Sequence, residues 1–235
     1  MVLKEPLTLQ YRDKTPHKPS SNRIGTKRHK ETKPLDQKLH STAAVRNCEP
    51  VWSVLSEILP ERGTLLEIGS GTGQHGAAYA PRVPHIQWQP SDIDPSYMAS
   101  VRAYQTEQPH PNWLPPIHLD VTSQEWDLDS VDVIMSMNMI HIAPWEACVG
   151  LLQGAGKYLA PGGWLYTYGP YKIDGEHTSE SNVAFDRSLK SRNPSWGIKD
   201  LEAIVSCAEE AGLRFDKKVT MPANNFSLLF QRGER

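Results

Sequence analysis

The sequence predicts an α/β protein built on an open, mostly parallel sheet with helices on both faces, and two observations predict it. Short apolar runs alternate with segments of helical periodicity from about residue 51 onward, the order that gives parallel strands joined by crossover helices. Between the first of these runs and the helix that follows lies Gly69-Ser-Gly-Thr-Gly73. Three missing β-carbons in five positions allow a tight turn and close approach of a ligand. In an open α/β sheet that turn sits at the switch point where nucleotide-like ligands bind.

The elements follow in order. Residues 1–40 carry ten Lys or Arg against four Asp or Glu and few large apolar side chains. Such a segment cannot bury enough surface to offset its ordering entropy, so disorder is expected. A solvated extension and a nucleic-acid or localisation tail both fit it. A mitochondrial transit peptide fits less well, because Glu5 and Asp13 lie early. The domain is expected over residues 41–235. Val51, Val54, Leu55, Ile58 and Leu59 fall on one helical face, with Pro50 expected in the first turn and Asn47 as a possible cap. Strands are expected at Thr64–Ile68, Ile86–Pro90, Ile117–Leu119, Val131–Met135 and Trp164–Tyr168. Helices are expected from Gln74 towards Ala80, over Tyr97–Gln105 and over Trp145–Leu159, the last stopped by Pro161-Gly-Gly163. After a polar loop come a helix at Asp200–Ala211, capped by Gly212, and two strands at Arg214–Thr220 and Phe226–Gln231.

Composition removes several classes. No run of about 18 apolar residues is present, so no membrane span is expected, and the N-terminus has no apolar core of a secretory signal. Cys48, Cys148 and Cys207 are odd in number and form no Cys-x-x-Cys pair, which suits a reducing, cytoplasmic compartment better than disulfides or zinc. The nine histidines include no metal-type spacing, and no metal is expected.

Two ligand classes fit the glycine turn. Gly71-x-Gly73-x-x-Gly76 with Asp92 downstream satisfies the dinucleotide fingerprint of an NAD-dependent oxidoreductase. Glu67-x-Gly69-x-Gly71-x-Gly73 resembles the first motif of class I S-adenosylmethionine-dependent methyltransferases. The ending favours the second: a helix, a Pro-Gly-Gly turn, a strand, a long loop, a helix and a strand pair resemble that fold's C-terminal half. Little chain remains for a separate substrate domain.

The resemblance narrows further. Ser41-Thr-Ala-Ala-Val-Arg46-Asn47, Leu66-Glu-Ile-Gly-Ser-Gly-Thr-Gly-Gln-His75, Trp88-Gln-Pro-Ser-Asp92, Asn138-Met-Ile-His-Ile142 and Tyr168-Gly-Pro-Tyr171 are similar to the methyltransferase-like 26 family. So are Ser181-Asn182, Phe185-Asp186, Pro194-Ser-Trp-Gly197 and Met221-Pro-Ala-Asn-Asn225. These motifs run in order over about residues 40–232. The resemblance implies a Rossmann-like class I fold, seven strands with the last antiparallel, and S-adenosyl-L-methionine as cofactor; it names no substrate.

Each candidate site residue has a chemical reason. Glu67 ends the first strand, where a carboxylate accepts from the ligand's α-ammonium or from a backbone N–H. Gly69, Ser70, Gly71 and Gly73 would hold the ligand through close backbone approach. Asp92 can take both ribose hydroxyls, with Asp94 as its competitor or as the acid of the next helix's first turn. Asp120 could accept from the adenine amino group, with the Val121 N–H beside it, or could simply form an Asx turn. Asn138 would meet the reactive part of the cofactor, and His141 could be a general base or a packed core histidine. Arg46, Asn47, Tyr168, Tyr171, Ser181, Asn182, Asn224 and Asn225 form the expected acceptor wall. The favoured function is methyl transfer to a small-molecule oxygen or nitrogen nucleophile. Alternatives are a nucleic-acid or protein methyltransferase recruited through residues 1–40, a non-catalytic cofactor-binding module, and the NAD enzyme.

Overall fold

The computed structural model describes residues 38–234. The expected basic tail lies outside the described residues except for Lys38–His40, and these pack. The Leu39 N–H donates to Ser100 Oγ at 2.8 Å, and the Tyr104 hydroxyl donates to the Leu39 carbonyl at 3.1 Å. Lys38 pairs with Glu107 and lies over the Tyr104 ring. Packing therefore begins ahead of the expected boundary at Ser41.

Helix α1 spans Thr42–Leu55, capped by Ser41, whose side chain accepts from the Ala44 N–H. This corrects two expectations: Arg46 and Asn47 lie inside the helix, and Pro50 is an interior residue. An interior proline costs on the order of 3 kcal/mol and has no N–H for the carbonyl four residues back. Packing overrides that preference. Val51, Val54 and Leu55 are buried, and the Tyr79 hydroxyl bonds the Cys48 carbonyl at 2.5 Å.

The sheet's strands are β1 (Gly63–Ile68), β2 (Ile86–Asp92), β3 (Ile117–His118), β4 (Val131–Met137), β5 (Leu159–Gly169), β8 (Leu213–Met221) and β9 (Asn225–Arg232). They stand in the order β3-β2-β1-β4-β5-β9-β8. The pairs β1–β2, β1–β4, β2–β3 and β4–β5 are parallel, whereas β9 runs antiparallel to both neighbours. The expected seven-stranded, mostly parallel sheet is present. Helices α2 (Gln74–Tyr79), α3 (Pro95–Glu107), α4 (Trp145–Tyr158) and α6 (Leu201–Glu210) connect the strands.

Strand alternation divides the core. Leu66 and Ile68 join Leu151, Leu152 and Ile204 on one face, while Leu65 joins Val51, Tyr79 and Trp88 on the other. The expected Pro-Gly-Gly turn is absorbed into the irregular start of β5, where pairing with β4 shifts between Val131 and Val133. The expected polar loop after β5 is structured. It forms a small hairpin, β6 (Lys172–Ile173) with β7 (Glu176–His177), and then helix α5 (Glu180–Arg192). Among the described residues no helix is long and apolar enough to cross a membrane.

Candidate functional site

β1 ends at Ile68, and the chain turns through Gly69–Gly73 into α2. The turn is tied to β2 from below. The Ser70 N–H donates to the Ser91 carbonyl at 2.9 Å, and the Ser91 hydroxyl donates to the Glu67 carbonyl at 2.9 Å. The Asp92 carboxylate takes the Gly71 N–H at 2.9 Å on one oxygen and the Asp94 N–H at 2.9 Å on the other. Burial raises the Asp92 carboxyl pKa, and these backbone donors oppose the rise.

The turn's glycines differ in what they face. A β-carbon on Gly69 would meet Met139 at 3.0 Å, and one on Gly73 would meet Val101 at 3.0 Å. On Gly76 it would strike the Trp113 indole at 2.8 Å. On Gly71, with φ +54°, the nearest such atom is the Gly69 carbonyl at 3.9 Å. Gly71 is thus the glycine of this motif that looks onto open space. Gly69, Gly71 and Gly73 all hold left-handed backbone, and Gly69, Gly73 and Gly76 are in addition closed in by their neighbours.

Glu67 is expected to accept from a backbone N–H or from a ligand in open space, and among the described residues it meets neither. It is 2% exposed, and its carboxylate accepts from the Trp88 indole N–H at 2.8 Å. Burial pushes its pKa up to about 7, against the hydrogen bonds from Trp88 and Ser70. Its place is structural, beneath the turn. Asp94 caps α3 by accepting from the Ser96 N–H at 2.7 Å, so Asp92 is the acid the structure leaves beside the turn. Asp120 accepts the Thr122 N–H at 2.9 Å and hydroxyl at 2.7 Å on one oxygen, an Asx turn. The Val121 side chain is buried in the core.

Asn138 follows β4 in the left-handed region, φ +58°. Its N–H donates to the Tyr168 carbonyl at 2.8 Å, and its own carbonyl accepts from the His141 N–H at 3.3 Å. Of the two readings of His141, the structure shows the packed core histidine. It is fully buried, edge-on to Tyr171 at 5.1 Å between ring centroids, and neither ring nitrogen has a protein partner. Burial drives its pKa down to about 3, with the nearby Lys199 charge adding to the effect. In this structure the imidazole is neutral and has no contact with solvent. Tyr171 is likewise core, its hydroxyl bonded to Thr167 at 2.9 Å, and does not form a substrate wall.

The remaining candidates split into two groups. Ser181, Asn182 and Asn224 clamp α5 to the turn between β8 and β9. Asn182 donates to the Asn224 carbonyl at 3.0 Å, and Asn224 donates to Ser181 Oγ at 3.1 Å. Ala223 and Asn224 hold the left-handed conformations there, and Asn225 is extended. The second group joins Arg46, Asn47, Tyr168 and Asn225. Tyr168 is buried, and burial raises its hydroxyl pKa against hydrogen bonds from the Asn47 and Asn225 amides and the Arg46 charge. Asn47 Oδ1 is 2.9 Å from His75 Nε2. Burial lowers the His75 pKa to about 4, so the ring is neutral.

The family model of DUF938, described as a protein of unknown function, matches residues 38–232. The chain belongs to this family. Solved structures share its fold at low identity. An O-methyltransferase family protein from Burkholderia thailandensis superposes with TM-score 0.70 at 20% identity, over 81% of this chain and 57% of that one. An O-methyltransferase family 2 protein from Planctomyces limnophilus, solved with apigenin, gives 0.65 at 16%, over 85% and 64%. PigF, solved with S-adenosylhomocysteine, gives 0.63 at 17%, over 72% and 50%. The DUF938 chain therefore spans roughly half to two thirds of these neighbours, and the likeness establishes the class I methyltransferase fold.

Three residues of this DUF938 domain were not singled out from sequence. Ile93, 59% exposed, presents an apolar side chain beside Asp92. Gln74 accepts from the Ser41 N–H at 2.5 Å and the Thr72 hydroxyl at 3.0 Å, joining α1 to the turn. His75 holds Asn47. Only Ile93 left a signal, an isoleucine between two acids. Among the described residues no cluster of His, Cys, Asp and Glu suits a metal. A hollow of about 400 Å³ between α4 and α6, lined by Trp145, Gln153 and Cys207, shares no residue with the turn.

Proposed function

We propose that this chain is an S-adenosylmethionine-dependent methyltransferase acting on a small-molecule oxygen or nitrogen nucleophile. The observation that carries it is the open face of Gly71, held by Asp92 at the sheet's C-terminal end. The residues present fit the cofactor. The backbone at Gly71 can lie against its amino-acid part, and Asp92 has lone pairs left for ribose hydroxyls. Ile93 offers an apolar face for the adenine ring, and Asp120 an oxygen for its amino group. When bound, the cofactor supplies a methyl group made electrophilic by a sulfonium.

The chain's own contribution is positioning. Asn138 sits at the end of β4 between the turn and the acceptor group of Arg46, Asn47, Tyr168 and Asn225. Holding a nucleophile in line and excluding water account for most of the catalysis expected of such a site. With His141 buried, the acceptor's proton leaves to solvent or to another base. The match of the methyltransferase-like 26 motifs (about 40–232) with the DUF938 span (38–232) supports placing the two families together. Free Cys48, Cys148 and Cys207 fit a reducing, cytoplasmic setting.

Calorimetry tests the reading. S-adenosylhomocysteine should bind and NAD should not. Asp92→Asn should weaken binding by about 1–3 kcal/mol, the range for a hydrogen bond to a charged group, whereas Asp94→Asn should leave it nearly unchanged. Tight NAD binding without a response to S-adenosylhomocysteine would sink the proposal.

A further inference from the structure

The glycine turn is held from two sides, and the sheet is only one of them. On the β2 side the Ser70 N–H bonds the Ser91 carbonyl and the Gly71 N–H bonds Asp92. On the other side two relays converge on Thr72, the residue between the left-handed Gly71 and Gly73. The Ser100 hydroxyl, fully buried on α3, donates to the Thr72 carbonyl at 2.7 Å and accepts the Leu39 N–H at 2.8 Å. The Gln74 side-chain oxygen accepts the Thr72 hydroxyl at 3.0 Å and the Ser41 N–H at 2.5 Å. Thr72 is thus fixed, at its carbonyl and at its hydroxyl, by two backbone N–H groups of the segment ahead of α1. That segment is anchored further by the Tyr104 hydroxyl on the Leu39 carbonyl at 3.1 Å and by Lys38 on Glu107.

The two supports differ in permanence. Leu39–Ser41 lie outside any helix or strand, and Leu39 and His40 are exposed. A short exposed segment held by a few bonds opens locally far more readily than the centre of a sheet. The relay through Ser100 depends on its being docked: a hydroxyl whose oxygen takes the Leu39 N–H is left with its own hydrogen for Thr72, and bonds linked in this way strengthen one another. While both relays are made, the Thr72 carbonyl stays on α3 and is not offered to a carboxylate laid against the neighbouring Gly71. We propose that Leu39–Ser41 form a positioning strap for the cofactor. Docked, the strap holds Thr72 in the conformation that binds, with Ser100 and Gln74 as the positioning residues that pass the contact on. Cofactor binding must in turn hold the strap down, because coupling between two sites is reciprocal. This rests on the reading of the turn as an S-adenosylmethionine site and adds how that site is regulated.

The test pairs calorimetry with S-adenosylhomocysteine, run well below every variant's melting temperature, with amide hydrogen exchange in the full-length protein. Removing residues 1–40 deletes the Leu39 N–H but leaves Thr72, Gln74 and Ser100 in place. The Kd for S-adenosylhomocysteine should then rise at least about fivefold, the lower end of couplings between sites. Removing residues 1–37 should leave it within about twofold, since the strap remains. Ser100→Ala should weaken binding as far as the longer truncation does, and Tyr104→Phe, which only loosens Leu39, should fall in between. In the full-length protein, saturating S-adenosylhomocysteine should slow exchange of the Leu39 and Ser41 amides, a response that a merely structural role would not give. Equal affinity in the longer truncation, a loss in Ser100→Ala without one in that truncation, or unchanged Leu39 exchange on binding overturns the strap. If Ser100→Ala does not fold, the truncation and the exchange measurement decide. Failure of the full-length protein to bind S-adenosylhomocysteine is a separate result, and it overturns the underlying methyltransferase reading.

Discussion

The glycine-turn half, β1 to α3, and the acceptor half, β4 to β9 with α1, meet at one end of a single sheet but are assembled differently. In the first, the polar partners lie close in sequence: Glu67, Ser70, Ser91 and Asp92 fall within 26 residues and bond mostly to the backbone of the turn. In the second, Asn47, Asn138, Tyr168 and Asn225 span nearly the whole domain. Asn225 comes to the end of β5 because β9 returns antiparallel to that strand and brings Phe226 opposite Gly169. The first half spends its polar groups on its own backbone. In the second, polar side chains meet across elements distant in sequence, as Asn182 meets the Asn224 carbonyl and Asn224 meets Ser181. A fixed loop is supported by near neighbours, whereas the other wall depends on the tertiary fold.

The sharpest way to break this comparison is inside the glycine motif. Gly71→Val should abolish S-adenosylhomocysteine binding while the protein stays folded. Its stability cost is that of a left-handed non-glycine residue, about 1–3 kcal/mol. Gly73→Val adds a clash with Val101 to the same backbone strain and should cost more stability. Thermal denaturation alongside calorimetry separates the two, and equal melting temperatures for the variants would contradict the packing assignment.

In the acceptor half the expected signature is reversed. Asn138→Gly suits the left-handed backbone yet removes the amide, and Asn225→Ala removes the amide that bonds the Pro222 carbonyl. Both should keep cofactor affinity within a few-fold. Turnover should fall by on the order of 100-fold, as for loss of one well-placed donor near reacting atoms. If affinity falls as far as turnover, the two halves are not separable.

The buried titratable groups give pH tests of opposite sign. Glu67 has a folded pKa of about 7 against 4.5 for the free side chain. Its protonation therefore favours the folded state, and that contribution is lost as pH rises from about 4.5 through 7. Glu67→Gln keeps an acceptor for Trp88 and should remove the loss, gaining up to about 3 kcal/mol at pH 8 relative to wild type. His141 is the opposite case. With its folded pKa near 3, its stability is complete above about pH 6.5 and is lost as pH falls below that. His141→Phe should change stability at pH 7 by under about 1.5 kcal/mol, lessen the acid loss and retain turnover. An inactive, well-folded His141→Phe would restore a proton-transfer role.

The smallest effect is expected at the N-terminus. Removing residues 1–37 should leave melting temperature and cofactor affinity unchanged. Removing residues 1–40 should lower the melting temperature, because the bonds of Leu39 to Ser100 and Tyr104 go with it. The order of the two outcomes is the check.

The sequence alone was enough for the sheet, its parallel strands and the glycine turn, because strand periodicity and glycine spacing are local properties of the backbone. Asp92 was legible for the same reason, standing at a strand end a fixed distance past the turn. Where tertiary contacts outweighed local preference, sequence reasoning went wrong. Pro50 lies inside α1 because that helix packs against Tyr79 and Trp88. The inserted α5 follows Ser179, a cap that the polar composition concealed. Burial decided the rest: Glu67, His141 and Tyr171 carry the residue types of a site, but desolvation and packing make them its support. The place of Asn225 at the end of β5 was set by the return of β9, a long-range pairing that no local spacing encodes.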